Sequence, residues 1–282
     1  MAAKVFASNL TRRRESHASF FYSRRKPAIA QFLQDGYWIF SLSDLSLLDR
    51  LQETLYRKGL ELLNFSPDLS RAEFFDFTHK LVSTDELNDF RVQLIAHMAR
   101  DESIRPLVYH LAKPQLHWLV GNELAMQRNC NLSIQFPEDD SSLLPLHSDV
   151  WSGNSPYEVV LWLPLVDCYQ TKSMFLLPRP ESEAILSNFR QYASLSTEEL
   201  YREIESNLVW FEVRCGQAAI FSHAMLHGNR INRETTTRWT INVRFKSLLS
   251  PYGSKGLGES FLPITMRPTT HIGAGYRKPE CL

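Results

Sequence analysis

Apolar residues change their rhythm part-way along the chain. Before about residue 120 they recur three and four positions apart, the period of a helix face; beyond it they alternate or run on, the period of strands. Residues 29–33 have helical spacing, Asp35-Gly36 marks a turn, and Tyr37-Trp38-Ile39-Phe40 is a short β-rich run. Ser43 or Asp44 then caps a helix bearing Leu45, Leu47, Leu48, Leu51, Leu55 and Leu60. Ser83 and Glu86 have capping-box spacing ahead of Leu87, Phe90, Leu94, Ile95 and Met98. Residues 107–120 are expected to be helical in part, broken or kinked at Pro114.

The second half reads as strands. Residues 125–136 predict one strand with a polar parity at Gln127, Asn129, Asn131, Ser133 and Gln135. Met126, Cys130, Leu132, Ile134 and Phe136 take the apolar parity, with Arg128 the exception. A loop over 137–142 leads into a strand through His147. Further strands are expected at 158–166, 173–177, 208–213, 218–221 and 238–245, and helical spacing returns over 180–206 with a start signal at Ser196. Helices first and strands later predict an α+β class: a double-stranded β-helix (jelly-roll or cupin-like) core packed with N-terminal helices. Residues 1–27 read as a basic, mobile N-terminus, 28–250 as one domain, and the aperiodic 251–282 as an irregular tail or lid.

Composition narrows the function. The 282 residues are 44% hydrophobic and 22% charged with zero formal net charge, ordinary for a soluble globular protein. No bulk basic field points to nucleic acid, and no apolar run approaches the roughly 20 residues that span a bilayer. The N-terminal basic groups, Arg12-Arg13-Arg14 and Arg24-Arg25-Lys26, lack an apolar secretory core, so a cytoplasmic location is expected. Cys130, Cys168, Cys215 and Cys281 are spread too widely for a zinc ribbon or a redox pair.

The chemistry concentrates in Pro145-Leu146-His147-Ser148-Asp149-Val150-Trp151. On an extended chain His147 and Asp149 point to the same side, so both can reach one ion. An open divalent iron site uses two histidines and one carboxylate on one face. His227 supplies the second histidine; His223 competes, but only His227 is followed eleven residues later by Arg238. Arg238 is the candidate clamp for a carboxylate, because guanidinium binds one through two parallel hydrogen bonds. Gln127, Asn131 and Ser133 are candidates to complete that cradle. Arg244 shares the parity of Arg238, Thr240 and Asn242, and with Trp151 and Lys172 it is a candidate substrate contact. His110 and His117 have no acid at ligand spacing and read as packing or surface residues.

His147-x-Asp149, His227-Gly228-Asn229 and Arg238 together resemble the non-haem iron, 2-oxoglutarate-dependent dioxygenases, specifically the phytanoyl-CoA hydroxylase-like superfamily. Phe32-Leu33-Gln34-Asp35-Gly36-Tyr37 is similar to that superfamily's opening. Gly121 to Gln127, Leu132-Ser133-Ile134-Gln135 and the His147-to-Gly153 stretch resemble its bacterial subgroup from sporadic carbohydrate-biosynthesis clusters. The resemblance spans roughly residues 28–250. It implies Fe(II), 2-oxoglutarate and O2, with ascorbate as a reductant in vitro, and a sugar, nucleotide sugar or glycosylated metabolite as substrate. Halogenating relatives carry a small residue where this chain has Asp149, so the resemblance implies hydroxylation or another oxidation. Where many relatives have Pro-Gly-Ser-His, this chain has Pro178-Arg179-Pro180-Glu181-Ser182. Two other readings stay open: a non-catalytic jelly-roll binding module, and a cupin-type enzyme that does not use 2-oxoglutarate.

Overall fold

The structure, a computed structural model, describes residues 27–63 and 68–278; the basic N-terminal groups and Cys281 lie outside them. Helices α1 (Pro27–Asp35), α2 (Leu45–Leu62), α3 (Arg71–Asp76), α4 (Thr84–Arg100) and α5 (Ile104–Leu119) surround a single strand, β1 (Tyr37–Ser41). Asp44 caps α2 by accepting from the Ser46 N–H, and capping boxes open α3 at Ser70 and α4 at Ser83. Helix α2 buries Leu48, Leu51 and Leu55, each contributing about 1.5–3 kcal/mol. Helix α5 runs unbroken through Pro114, against the expectation of a break. Its buried face, Leu107, Val108, Leu111, Ala112 and Leu116, holds it against the core despite the lost N–H.

The remaining elements are β2 (Leu124–Gln127), β3 (Asn131–Gln135), β4 (Glu158–Pro164), β5 (Phe175–Leu176), α6 (Arg179–Ser187), α7 (Thr197–Ile204), β6 (Val209–Trp210), β7 (Gln217–Ser222), β8 (His227–Gly228), β9 (Arg238–Ser247), β10 (Phe261–Thr265) and α8 (Pro268–Ala274). All strand pairs are antiparallel. A seven-stranded sheet runs β1-β7-β4-β9-β2-β10, with β3 also on β9, and a three-stranded sheet runs β6-β5-β8. The fold is therefore mixed helix and antiparallel sheet, helices leading.

Strand β9 organises the large sheet. Trp239, Ile241, Val243 and Phe245 are fully buried, and the Trp239 ring meets Phe74, Phe75 and Phe90 from the helical layer. The alternate residues Arg238, Thr240, Asn242 and Arg244 face the other way. Register places Thr240 opposite Ser133, Asn242 opposite Asn131 and Trp162, and Arg244 opposite Val160, so these side chains share that face.

Three sequence expectations need correction. Residues 125–136 form two strands, interrupted at Arg128, the residue that broke the alternation; its N–H bonds Ser260 instead. His147 lies in no full strand: it makes a single bridge to His227, and Asp149 opens a 3₁₀ turn, Asp149–Ser152. The expected strand over 208–213 is only Val209–Trp210. Within 251–278, β10 joins the large sheet through β2, and α8 follows. No helix among the described residues is long and apolar enough to cross a membrane.

Candidate metal centre and its cavity

His147 and His227 form a hydrogen-bonded antiparallel pair, each backbone N–H donating to the other's carbonyl at 2.9 Å. This pairing sets the rings side by side, 4.3 Å between centroids. Each ring makes the same local bond: His147 Nδ1 to Pro145 O at 2.8 Å, His227 Nδ1 to Met225 O at 2.9 Å. A carbonyl only accepts, so Nδ1 carries a hydrogen on both rings, and Nε2 is the nitrogen left to face an ion. Ser148 is extended (φ −118°, ψ 132°), which brings Asp149 to the same side as His147. Asp149 Oδ1 is 3.9 Å from His147 Nε2, and Oδ2 is 3.8 Å from His227 Nε2. The ligand atoms of all three lie within 4.8 Å of one another, within reach of one ion.

The Asp149 carboxylate is held from behind. His223, fully buried, places Nε2 2.7 Å from Asp149 Oδ2 and Nδ1 3.1 Å from the buried Glu158. Arg244 reaches both, Nη2 to Asp149 Oδ1 at 2.9 Å and Nε to His223 Nε2 at 2.7 Å. Nε2 has one hydrogen at most, so it either donates to Asp149 or accepts from Arg244. Burial by itself raises the Asp149 pKa; the His223 hydrogen bond and the charges of His227, His223 and Arg244 outweigh it and hold the carboxyl well below its usual range. Burial, with His147 alongside, lowers His227 to about 4, keeping its Nε2 free of a proton at neutral pH.

Gly228 and Asn229 explain the motif after His227. A Cβ at Gly228 would sit 2.7 Å from Leu144 O and 2.8 Å from the Phe175 ring. Asn229 ties the loop before His147 to β8: its N–H donates to Leu144 O, its Oδ1 accepts from Leu144 N–H, and its Nδ2 donates to Ser142 O.

The three ligand candidates open onto a cavity of about 560 Å³ between the two sheets. Val160, Trp162 and Phe221 line it from the large sheet, and Met174, His227 and Gly228 from the small-sheet side. Arg238 is 3% exposed, donating from Nη1 to Ser173 O and from Nη2 to Ser133 Oγ. Its Nε has no partner, nor do Thr240 Oγ1 and Asn242 Oδ1, all buried in residues that line the cavity. Burial lowers Arg238 only to about 10, so it remains a cation.

Of the residues picked from sequence, His147, Asp149, His227, Asn131, Ser133, Arg238 and Arg244 come together on this cavity. Gln127 does not line it; its Oε1 accepts from Arg244 beside an adjoining cleft. Lys172 does not line the cavity; it is buried against Asp76 (3.3 Å) and Thr236 (2.6 Å), which take up its ammonium. Trp151 packs against Phe189, the rings tilted and their centroids 5.1 Å apart, and does not line the cavity. His223 is outside the three-ligand cluster. Sequence reasoning missed Glu158 and Asn229 as supports: Glu158 sits in an apolar run, and that out-of-place acid was the available signal.

No protein-family model and no curated protein matches the sequence. Solved structures do match in fold. A non-heme monooxygenase, ThoJ, in complex with nickel superposes with a TM-score of 0.55 at 18% identity, over 89% of this chain and 88% of that one. EctD from S. alaskensis with bound Fe gives 0.54 at 14% identity, over 84% and 81%. The non-heme alpha ketoglutarate dependent carbocyclase SnoK from nogalamycin biosynthesis gives 0.51 at 13%, over 87% and 97%. At these identities the likeness establishes the fold.

Proposed function

We propose that this protein is an Fe(II)- and 2-oxoglutarate-dependent oxygenase acting on a small molecule. One observation carries the reading: two imidazole Nε2 atoms and a carboxylate converge at a cavity that is also lined by a buried arginine with an unpaired donor. The donor set suits ferrous iron, and a facial set of three leaves room for a bidentate co-substrate and dioxygen. The orphaned Arg238 Nε and Thr240 Oγ1 suit the far carboxylate of 2-oxoglutarate. In this reading the two sheets are the walls of a double-stranded β-helix.

Bound iron supplies dioxygen activation coupled to the oxidative decarboxylation of 2-oxoglutarate to succinate. The chain's own part is positional. His147 and His227 present lone pairs fixed by their carbonyl partners, Asp149 stays ionised beside His223 and Arg244, and Arg238 with Ser133 and Thr240 orients the co-substrate. Trp162, Phe221 and Met174 keep water from the reacting face. The sequence resemblance supports placement with the phytanoyl-CoA hydroxylase-like enzymes and a carbohydrate-containing substrate, and Asp149 supports oxidation over halogenation.

Succinate formation from 2-oxoglutarate with ferrous iron and ascorbate tests this. Wild type is expected to form succinate slowly, and Asp149→Ala to form none above background. Folded protein that forms no succinate and develops no visible charge-transfer band with anaerobic Fe(II) and 2-oxoglutarate sinks the proposal in favour of a binding module. Full activity in Arg238→Ala points instead to a cupin-type enzyme without 2-oxoglutarate.

A further inference from the structure

The cavity carries more positive charge than the proposed cofactors use. Its lining holds Arg91, Arg238, Arg244 and Lys255, against a single acid, Asp149. Arg244 and Asp149 pair at 2.9 Å and offset each other. Ferrous iron and the two carboxylates of 2-oxoglutarate offset each other as well, with Arg238 holding one of those carboxylates. Arg238, Arg91 and Lys255 then remain as unmatched positive charges, and of these only Arg238 is engaged by the co-substrate.

Neither Arg91 nor Lys255 has a counter-charge among the described residues. Arg91, on α4, donates to Asn88 Oδ1 at 2.9 Å and to Ser142 Oγ at 3.4 Å, both neutral. Lys255 forms no ion pair or hydrogen bond among the described residues. It is held in place by its neighbours: the Ser254 N–H donates to Gly153 O at 3.0 Å, just past the Asp149 turn. Lys255, Arg244 and Asn131 also line an adjoining cleft of about 360 Å³, to which Arg128 adds a cation and Glu259 an acid. The path from the metal end outward is therefore cationic beyond the co-substrate.

We propose that the organic substrate of this site is an anion, whose carboxylate or phosphate group is taken up by the two cavity-lining cations that have no acidic partner and do not hold the co-substrate, Arg91 and Lys255. The proposal rests on the oxygenase reading and narrows its substrate class. Carboxylate and phosphate share the needed chemistry, an acceptor-only group that takes charge-assisted hydrogen bonds from both cations. Asn131 and Ser141, polar residues of the same lining, offer hydrogen bonds to the neutral remainder of such a molecule.

The test uses cobalt(II)-loaded full-length protein saturated with 2-oxoglutarate, so that Arg238 is occupied. Paramagnetic relaxation by cobalt reports small anions held near it. Methyl phosphate and propionate are titrated in parallel with neutral trimethyl phosphate and propionamide. Saturable relaxation of at least one anion, absent for its neutral partner, is expected. Its apparent Kd should weaken about tenfold or more in Arg91→Gln/Lys255→Gln, and Arg91→Lys should restore part of the loss. Which anion responds separates phosphate from carboxylate. Equal relaxation by anion and neutral partner, or an anion Kd unchanged in the double variant, overturns the proposal. The ferrous 2-oxoglutarate charge-transfer band, measured on the same proteins, keeps the outcomes distinct. Its presence in wild type with no anion selectivity defeats the anion site alone; its absence from wild type defeats the oxygenase reading.

Discussion

Two fully buried cations invite comparison. Lys172 is 2% exposed and Arg238 is 3% exposed. Lys172 is satisfied within the fold: the Asp76 carboxylate and the Thr236 hydroxyl take its ammonium, and Tyr169 lies over it at 6.0 Å. Arg238 has only neutral partners, Ser173 O and Ser133 Oγ, and a buried Nε without a partner among the described residues. A buried charge without an opposite charge costs several kcal/mol. The first site is a closed structural pair. The second has no opposite charge at hand, and on the proposed reading an anion from outside supplies it.

Arg238→Gln puts the largest strain on this contrast. Half-saturation for 2-oxoglutarate is expected to rise about 100-fold, from the loss of about 3 kcal/mol of charge-assisted hydrogen bonding. The thermal midpoint should hold or rise, because an uncompensated buried charge leaves with the side chain. A lower midpoint with 2-oxoglutarate use intact would make Arg238 a second Lys172.

The metal end sharpens the comparison from the acid side. His223 has no place among the ligands but touches Asp149, so His223→Ala should weaken cobalt(II) binding about 10- to 100-fold. Absorbance titration would read this, with His223→Gln recovering part of the affinity and of the wild-type d–d spectrum. Unchanged affinity in the alanine variant would reduce His223 to a core filler.

Lys172→Met gives a smaller effect of the opposite kind. Asp76 is 39% exposed and can turn to water, so stability should fall only about 1 kcal/mol, mostly from the unpaired Thr236 hydroxyl. The half-saturation for 2-oxoglutarate should not move. A raised value would bring Lys172 back as a site residue.

Acidity separates the regions last. His227 is lowered to about 4 from 6.5, so the unfolded chain takes up its proton first. The stability this contributes is complete above about pH 6.5 and is lost as pH falls toward 4. Metal-free protein should lose about 1 kcal/mol between pH 7 and pH 5.5 in denaturant titrations. Arg238, at about 10, keeps its charge throughout. A flat profile for the metal-free protein would mean that His227 is not shielded as its burial requires.

Much of the site was legible because strands impose a period of two. The alternation Arg238-Trp239-Thr240-Ile241-Asn242-Val243-Arg244-Phe245 announced a strand with two faces, and His147-x-Asp149 announced two donors on one side. Alternation does not reveal what the polar face meets. For β9 it is a cavity, because the small sheet lies over it, and that depends on residues far away in sequence. Lys172 and Trp151 stood at plausible strand ends, yet one turns to Asp76 and the other onto Phe189. Proline is a local signal too, but the buried face of α5 overrode Pro114.

The sequence by itself determined the order of helices and strands, the donor types for a metal and the arginine that follows them, since all of these depend on side-chain chemistry and short-range spacing. Tertiary structure decided which histidine joins the three-donor cluster and which stands behind it. His227 pairs backbone to backbone with His147, while His223, four residues earlier, is carried behind Asp149 to Glu158. It also decided that Arg238 keeps a free donor while Lys172 does not. Neither outcome is encoded locally, because each depends on which distant polar groups close packing brings within about 3 Å of a buried charge.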